Sequence, residues 1–302
     1  MVGFISHRVE ILEEFEAEAK KYRAIILEEP ENRQLYDFFD GEITLDDFIM
    51  NIDTTLPVFS RKYVELLRKL YESGVTILQV EPYLENLGKI YRAIESGEFD
   101  EIIRDKEVSR VRETERKATQ AMIEYQEAFL KKDFDSIVES TINFTKADAE
   151  RFRFRDYLRA QYIKKIIHEK DLSTDILIEA GQIHFLLPEY LKEIMPDARV
   201  SSMNLIERVA ERINLKLVEN PGNKLTRKYI RGEKVDRDEE RLLAARGLLY
   251  ISLTRKDEML PTDEIPFPHL EDEKKVIEYV NSLSYEECKE KFENYWMTSE
   301  RK

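Results

Sequence analysis

Cysteine occurs once in the 302 residues, at Cys288. A single thiol excludes an intrachain disulfide and any metal site built from cysteine alone, and it fits a reducing compartment. Glu286, Glu287 and Glu290 surround it, and like-charged neighbours disfavour the thiolate a nucleophile needs. No charge-free apolar run approaches the roughly 18 residues of a membrane span. The opening MVGFISHRVEILEEF turns acidic and amphipathic almost at once, unlike a secretory signal. These absences lead to the expectation of a cytoplasmic protein without a membrane segment. Basic residues are the minority charge: 48 Lys and Arg against 62 Asp and Glu give a net charge of −14. Such a chain repels phosphate backbones, so no nucleic-acid partner is expected. The sequence also lacks G-x-G-x-x-G, the P-loop and G-x-S-x-G. Nucleotide binding of the standard kinds and α/β-hydrolase chemistry therefore have no support.

Hydrophobic residues make up 42% of the chain and charged residues 36%, enough for a substantial core beneath solvated helices. Val2–Ser6 (VGFIS), Ala24–Leu27 (AIIL) and Val75–Val80 (VTILQV) read as strands, with helical patterns between them over 8–22, 35–39, 45–50 and 57–71. That alternation is the signature of a parallel sheet. From about Lys106 to His168 there is neither proline nor glycine, and apolar residues recur at helical spacing. This stretch predicts a long helical hairpin with its break at Lys131-Lys132-Asp133. A fourth strand follows at 176–178, a helix over 187–195, a fifth strand over 199–203 and a helix over 205–213. Asn220-Pro221-Gly222-Asn223 is the clearest turn cluster. Beyond it lie a helix over 236–253, a proline-containing loop over 260–268 and terminal helices, with Tyr295 and Trp296 as a packing anchor. The expected architecture is an α/β domain over 1–220, with a central, mostly parallel sheet of about five strands and a helical insertion at about 105–168. A helical region over 221–302 completes it.

Glycine and histidine are scarce, nine and four, which gives weight to where they fall. In Asp175–Leu191 (DILIEAGQIHFLLPEYL) a buried strand runs into a tight turn carrying Gly181 and His184, and then into a helix. Ligands of open α/β sheets bind outside the carboxyl ends of strands. His7 follows the first strand directly, and Glu28 and Glu81 follow the second and third. In a parallel sheet all four share one edge. Two imidazoles and one or two carboxylates can hold Zn, Mn or Fe with a position left for water, or can share proton transfer. The metal set expected is His7, Glu28 and His184, with Gly181 and Glu81 lining the ligand site. The plainer alternative has His184 capping the helix after it and the glutamates pairing with surface arginines.

In Arg151–Gln161 (RFRFRDYLRAQ) three alternate arginines cannot share one helical face. Arg155 enters the segment that returns to the sheet, where an arginine can clamp a carboxylate or stabilise an oxyanion. Ordinary pairing along the helix is the alternative for each arginine. His168 suits the negative end of its helix, and His269, in the proline loop, is expected to be exposed.

Taken in order, Gly3 with His7, Glu28 or Glu29 after AIIL, Arg155-Asp156 with Ala160, and Gly181-Gln182-Ile183-His184 resemble a known superfamily. It comprises the Tiki-type metalloproteases, the TraB/PrgY pheromone-shutdown proteins, the erythromycin esterases and the ChaN-type haem-binding proteins. The likeness spans roughly Val2 to Met203. It departs at the first motif, where Gly3 and His7 are four apart rather than three. The resemblance implies an α/β fold with helical insertions and a site at the strand ends. It leaves the activity open, because members cleave peptides, hydrolyse esters or bind haem on similar frameworks.

The leading expectation is a hydrolase of peptide or ester bonds, metal-dependent or histidine-based. In it His7 and His184 bind metal or move protons, Glu28 is ligand or base, and Arg155 steadies negative charge. A protein binding haem or a small anionic ligand, with histidine as axial ligand, is the second. A helical scaffold with a degenerate site is the third. The partners expected are a small-molecule or peptide substrate and, for an oligomer, another copy of the chain.

Overall fold

The computed structural model describes residues 1–172 and 175–299, with side chains described as far as residue 294. The side chains of Tyr295 and Trp296 lie outside that range, and with them the expected packing anchor.

The chain starts in strand β1 (Val2–Ile5) and reaches helix α1 (Leu12–Ala19) through a single 3-10 turn. Strand β2 (Ala24–Leu27) is buried at every residue. Helices α2 (Arg33–Phe39) and α3 (Leu45–Met50) follow, the second opened by a reciprocal capping box between Thr44 and Asp47. Helix α4 (Pro57–Glu72) buries Phe59, Tyr63, Val64, Leu67 and Leu70 along one stripe. Strand β3 (Thr76–Gln79) comes next. Pro82 then opens helix α5 (Pro82–Ser96), for which the sequence analysis has no element. Proline suits the first turn of a helix, where its missing N–H has no partner to lose. After α6 (Phe99–Ile102) come α7 (Lys106–Leu130) and the 36-residue α8 (Phe134–Glu169). They are separated at the expected break, where Lys132 takes a left-handed φ of 55° and Asp133 accepts from the Ser136 backbone N–H. Strand β4 (Ile176–Gly181), α9 (Leu187–Ile194), β5 (Ser202–Asn204) and α10 (Leu205–Arg212) complete the alternation. Helices α11 (Pro221–Ile230), α12 (Arg237–Leu253), α13 (Pro268–Ser282) and α14 (Tyr285–Ser299) follow. The Asn220–Asn223 cluster opens α11 instead of ending in a turn: the Asn220 side chain caps the Asn223 N–H, with Pro221 at the first helical position.

The five strands form one parallel sheet in the order β3-β2-β4-β1-β5. The protein is thus α/β, with an all-parallel sheet, an inserted helical hairpin and C-terminal helices. Side chains alternate between the two faces of each strand. Val2, Ile26, Leu78, Ile178 and Ala180 share one face and pack with Ala160 and Ile163 of α8 and with Leu187 and Leu191 of α9. Ile25, Leu27, Ile77, Leu177 and Glu179 point the other way, the side on which α4 meets β3. Gly3 lies on that second face, where an added Cβ would stand 3.0 Å from Leu177 Cδ1. Gly3→Ala is expected to destabilise the fold by about 1–3 kcal/mol. Urea unfolding at one pH measures this, and an unchanged midpoint would mean Leu177 simply yields.

The chain divides into two compact units. One contains Met1–Arg92, Arg155–Lys216 and Lys256–His269; the other contains Ala93–Phe154, Leu217–Arg255 and Leu270–Lys302. The inserted hairpin as far as Phe154 therefore groups with the C-terminal helices, while α8 from Arg155 onward belongs with the sheet. A shared core explains this: Phe134, Ile137, Val138 and Ile142 pack against Leu243, Leu248, Val280 and Phe292. Among the described residues no helix is long and apolar enough to cross a membrane.

Candidate functional site at the carboxyl edge of the sheet

All the residues singled out at strand ends belong to the sheet-containing unit. They fall into two groups, one sealed and one open.

The sealed group is centred on His184. The Gly181–His184 turn closes through a hydrogen bond from the His184 N–H to the Gly181 carbonyl at 3.0 Å. This folds the imidazole back beneath the edge, where the residue is only 3% exposed. Its Nδ1 meets Asp156 Oδ1, and its Nε2 lies 2.9 Å from Glu28 Oε1. The other Glu28 oxygen accepts the Gly181 backbone N–H at 2.7 Å. Gly181 thus serves the site through its backbone, since an added Cβ would meet only ordinary contacts. Arg155 Nη2 stands 3.5 Å from Glu28 Oε1, and Arg159 Nη1 stands 3.6 Å from Glu28 Oε2. The same two guanidiniums approach Glu81 at 3.5 and 3.9 Å, and Arg159 Nε also donates to the Val80 carbonyl at 2.9 Å. Asp156, Arg155 and Arg159 all come from one stretch of α8, delivered by spacings of one, three and four residues.

Glu28, Glu81 and Asp156 face Arg155, Arg159 and His184, so charges balance when the imidazole is protonated. Burial alone would pull His184 down, but Glu28 and Asp156 outweigh it and raise it to about 9. Burial would push Glu28 up, yet His184, Arg159 and Arg155 hold its carboxyl far below the usual range.

The open group is centred on His7, whose side chain is 55% exposed. Its Nε2 lies 3.7 Å from Glu179 Oε1, and its ring stacks on Phe59 with centroids 5.3 Å apart. Phe59 stacks in turn on Tyr63, whose hydroxyl donates to Glu179 Oε2 at 2.7 Å. The Glu179 carboxylate raises His7 above its ordinary value against the opposing effect of burial. Glu29 stands at the same edge. Loss of hydration against the neighbouring protein raises its carboxyl first, the Glu179 charge adds to this, and it reaches about 7. His7, Glu29, Phe59, Tyr63 and Gln79 line one cavity of about 340 Å³, at the small end for ligand sites.

The expected site residues therefore separate. Glu28, Glu81, Arg155 and His184 meet in one cluster, with Glu81 fully buried and out of reach of any ligand. His7 takes Glu179 as its partner instead of joining His184. The donor set His7, Glu28 and His184 does not fit a metal ion. Both imidazole nitrogens of His184 already face carboxylates, and two guanidiniums stand where a cation would be repelled. Among the described residues no group of three or more His, Cys, Asp or Glu is placed to hold a metal. The same engagement of both nitrogens bears on an axial haem ligand at His184.

Away from the edge, Arg151 pairs with Asp148 along its own helix, the ordinary pairing allowed for it, and also reaches Glu115 of α7. His168 sits in the last turn of α8. His269 is buried, not exposed: its ring Nε2 accepts the Met259 backbone N–H and its backbone N–H donates to Glu10 Oε2, both at 3.0 Å. Cys288 is buried, and burial pushes its thiol up to about 11.

Sequence reasoning passed over Arg159, Glu179 and Tyr63, and named Glu29 only as an alternative to Glu28. Two signals were available. Arg159 lies four residues from Arg155 on the same helical face. Glu179 is a charge inside an otherwise apolar strand, ILIEAG, where an acid needs a partner.

The fold and this edge define a class: an α/β protein with a five-stranded parallel sheet and a buried carboxylate–histidine–arginine cluster beside an open histidine. The chain is 38% identical over 295 residues to an uncharacterized protein of Archaeoglobus fulgidus, an alignment covering 98% of each. It belongs to the same family as that protein. No family model and no solved structure matches the chain.

Proposed function

We propose that the protein is a hydrolase of small ester or peptide substrates that works by proton transfer between a histidine and a carboxylate. The observation that carries this reading is the open pair: His7, oriented by Glu179, and Glu29, raised to about 7, line one cavity at the sheet edge. General acid–base catalysis is most effective when its groups titrate near the working pH. Glu29 as carboxylate takes a proton from water as that water attacks the scissile carbonyl carbon. His7 as imidazolium gives a proton to the departing alkoxide or amine, releasing acid and alcohol, or acid and amine. Tyr63 and Phe59 hold Glu179 and the His7 ring in place. The sealed His184 cluster anchors the ends of β2 and β4 beneath the pair without touching substrate.

A panel of neutral aryl esters and short peptides tests this, assayed with and without a strong chelator. Hydrolysis that survives chelation and disappears in His7→Gln is the expected result. Loss on chelation, with near-stoichiometric Zn, Mn or Fe in the purified protein, would transfer support to the metal-dependent version. No turnover of any panel member would remove the hydrolase reading.

A further inference from the structure

The cavity that opens beside His7 has an unequal lining. Its floor is apolar: Leu27, Leu35, Phe48, Phe59, Val64 and Leu67 all line it and are all buried. Its polar side carries Glu29 and Asp53, both exposed, together with neutral hydroxyl and amide groups. Among the described lining residues there is no lysine or arginine, and His7, already faced by Glu179, is the sole basic group. Arg33 and Arg61, next in sequence to lining residues, pair with Asp37 and Asp46, and Arg155 and Arg159 of the sealed group are turned to Glu28 and Glu81. With Glu29 raised to about 7 and so only part-charged at neutral pH, and His7 faced by Glu179, the negative bias of the entrance rests mainly on Asp53, above an oily floor. A ligand of matching character has an apolar or aromatic body and a protonated amine, and the same lining repels a carboxylate or phosphate.

We propose that the cavity binds small amine-bearing molecules with an apolar body, that Asp53 receives the ammonium group, and that anionic analogues are excluded. This rests on reading the cavity as the substrate site. Asp53 lies in the loop between α3 and α4, and in this reading it selects substrate while His7 and Glu29 move the protons.

Three probes of one shape separate the possibilities: 4-phenylbutylamine, 4-phenylbutanol and 4-phenylbutyrate, titrated calorimetrically into the full-length protein at pH 7. The amine is expected to bind roughly 10-fold tighter than the carboxylate, with the alcohol between, as suits one partly screened charge contact. Asp53→Asn narrows that ratio while leaving the alcohol's affinity unchanged, and raised salt narrows it in the wild type. Asp53 is exposed, so the variant is expected to fold, and its far-UV circular dichroism checks this. Equal affinities, a preference for the carboxylate, an unchanged ratio in Asp53→Asn, or no binding of any probe would each overturn the proposal. The outcome is separable from the fate of the hydrolase reading. Charge-ranked binding without turnover of any ester would sink hydrolysis alone, and turnover of neutral esters without charge ranking would sink the amine preference alone.

Discussion

His184→Ala is expected to lose about 3–5 kcal/mol of unfolding free energy at pH 6, a large share of the roughly 5–15 kcal/mol typical of a domain. Glu28 and Asp156 would be left buried with the cation between them gone. Removing one partner of a buried ionic group costs far more than the group gains over apolar packing, because the stranded charge cannot recover its hydration. The loss should depend on pH in a definite direction. His184 is raised from 6.5 to about 9 in the folded protein, so its contribution is complete below about pH 6.5 and disappears as pH rises through about 9. A shift of that size corresponds to stabilisation on the order of 3 kcal/mol. Glu28 acts oppositely: its carboxyl is held low, so its contribution is present above about pH 4.5 and fades only as the solution becomes strongly acidic. Wild-type protein should therefore be most stable at mildly acidic pH and weaken between pH 7 and 9.5. Urea denaturation across that range, with His184→Ala and His184→Gln beside wild type, measures the effect. Gln keeps hydrogen-bonding capacity but no titrating charge, so it should flatten the alkaline decline while losing less volume. Parallel pH profiles in wild type and both variants would show that His184 is neutral in the fold.

Glu29→Gln is the second large effect, and it falls on turnover. Hydrolysis by the wild type should follow a bell in kcat/KM. The ascending limb lies near pH 7, where Glu29 gives up its proton, and the descending limb reports His7, which Glu179 raises above its ordinary value. Glutamine keeps shape and polarity and cannot accept the proton. The expected fall in kcat/KM is about 10²- to 10⁴-fold, with loss of the ascending limb. His7→Gln should instead remove the descending limb. Glu29 is exposed, so neither its replacement nor the assay depends on rescuing the fold. If Glu29→Gln kept its ascending limb, the base would be another group, and the open pair would lose its role.

The division of labour between these two histidines was not legible from the sequence, although both were named from it. Strand ends in a parallel sheet share an edge because every strand runs the same way, so His7, Glu28, Glu81 and His184 were bound to gather there once the alternation was recognised. Which would be sealed and which open depended on two turns. The Gly181–His184 turn folds its imidazole inward onto Asp156. After β1 the histidine comes two residues past Ile5, not the three that separate Gly181 from His184, and its ring stays outside against Phe59. That Glu179 needs a partner is legible in its apolar strand, but that the partner is Tyr63, 116 residues away, is not. The insertion's attachment was likewise invisible. Helical periodicity located α7 and α8, yet the partner for their apolar stripes was chosen by shape among helices that read alike.

The sequence by itself determined the elements and the order of chemistry along the chain. Apolar runs and periodicity settled the strands and the long helices other than α5, because a parallel α/β sheet buries its strands on both faces and its helices on one. The scarcity of glycine and histidine marked the turn that matters. Only the tertiary structure decided which charges neutralise one another. An ion pair is a relation of distance and burial, and residues 28, 156 and 184 acquire it when three separate elements meet. It alone also produced a cavity where one histidine and one carboxylate stand open, because a cavity is the space that packing leaves.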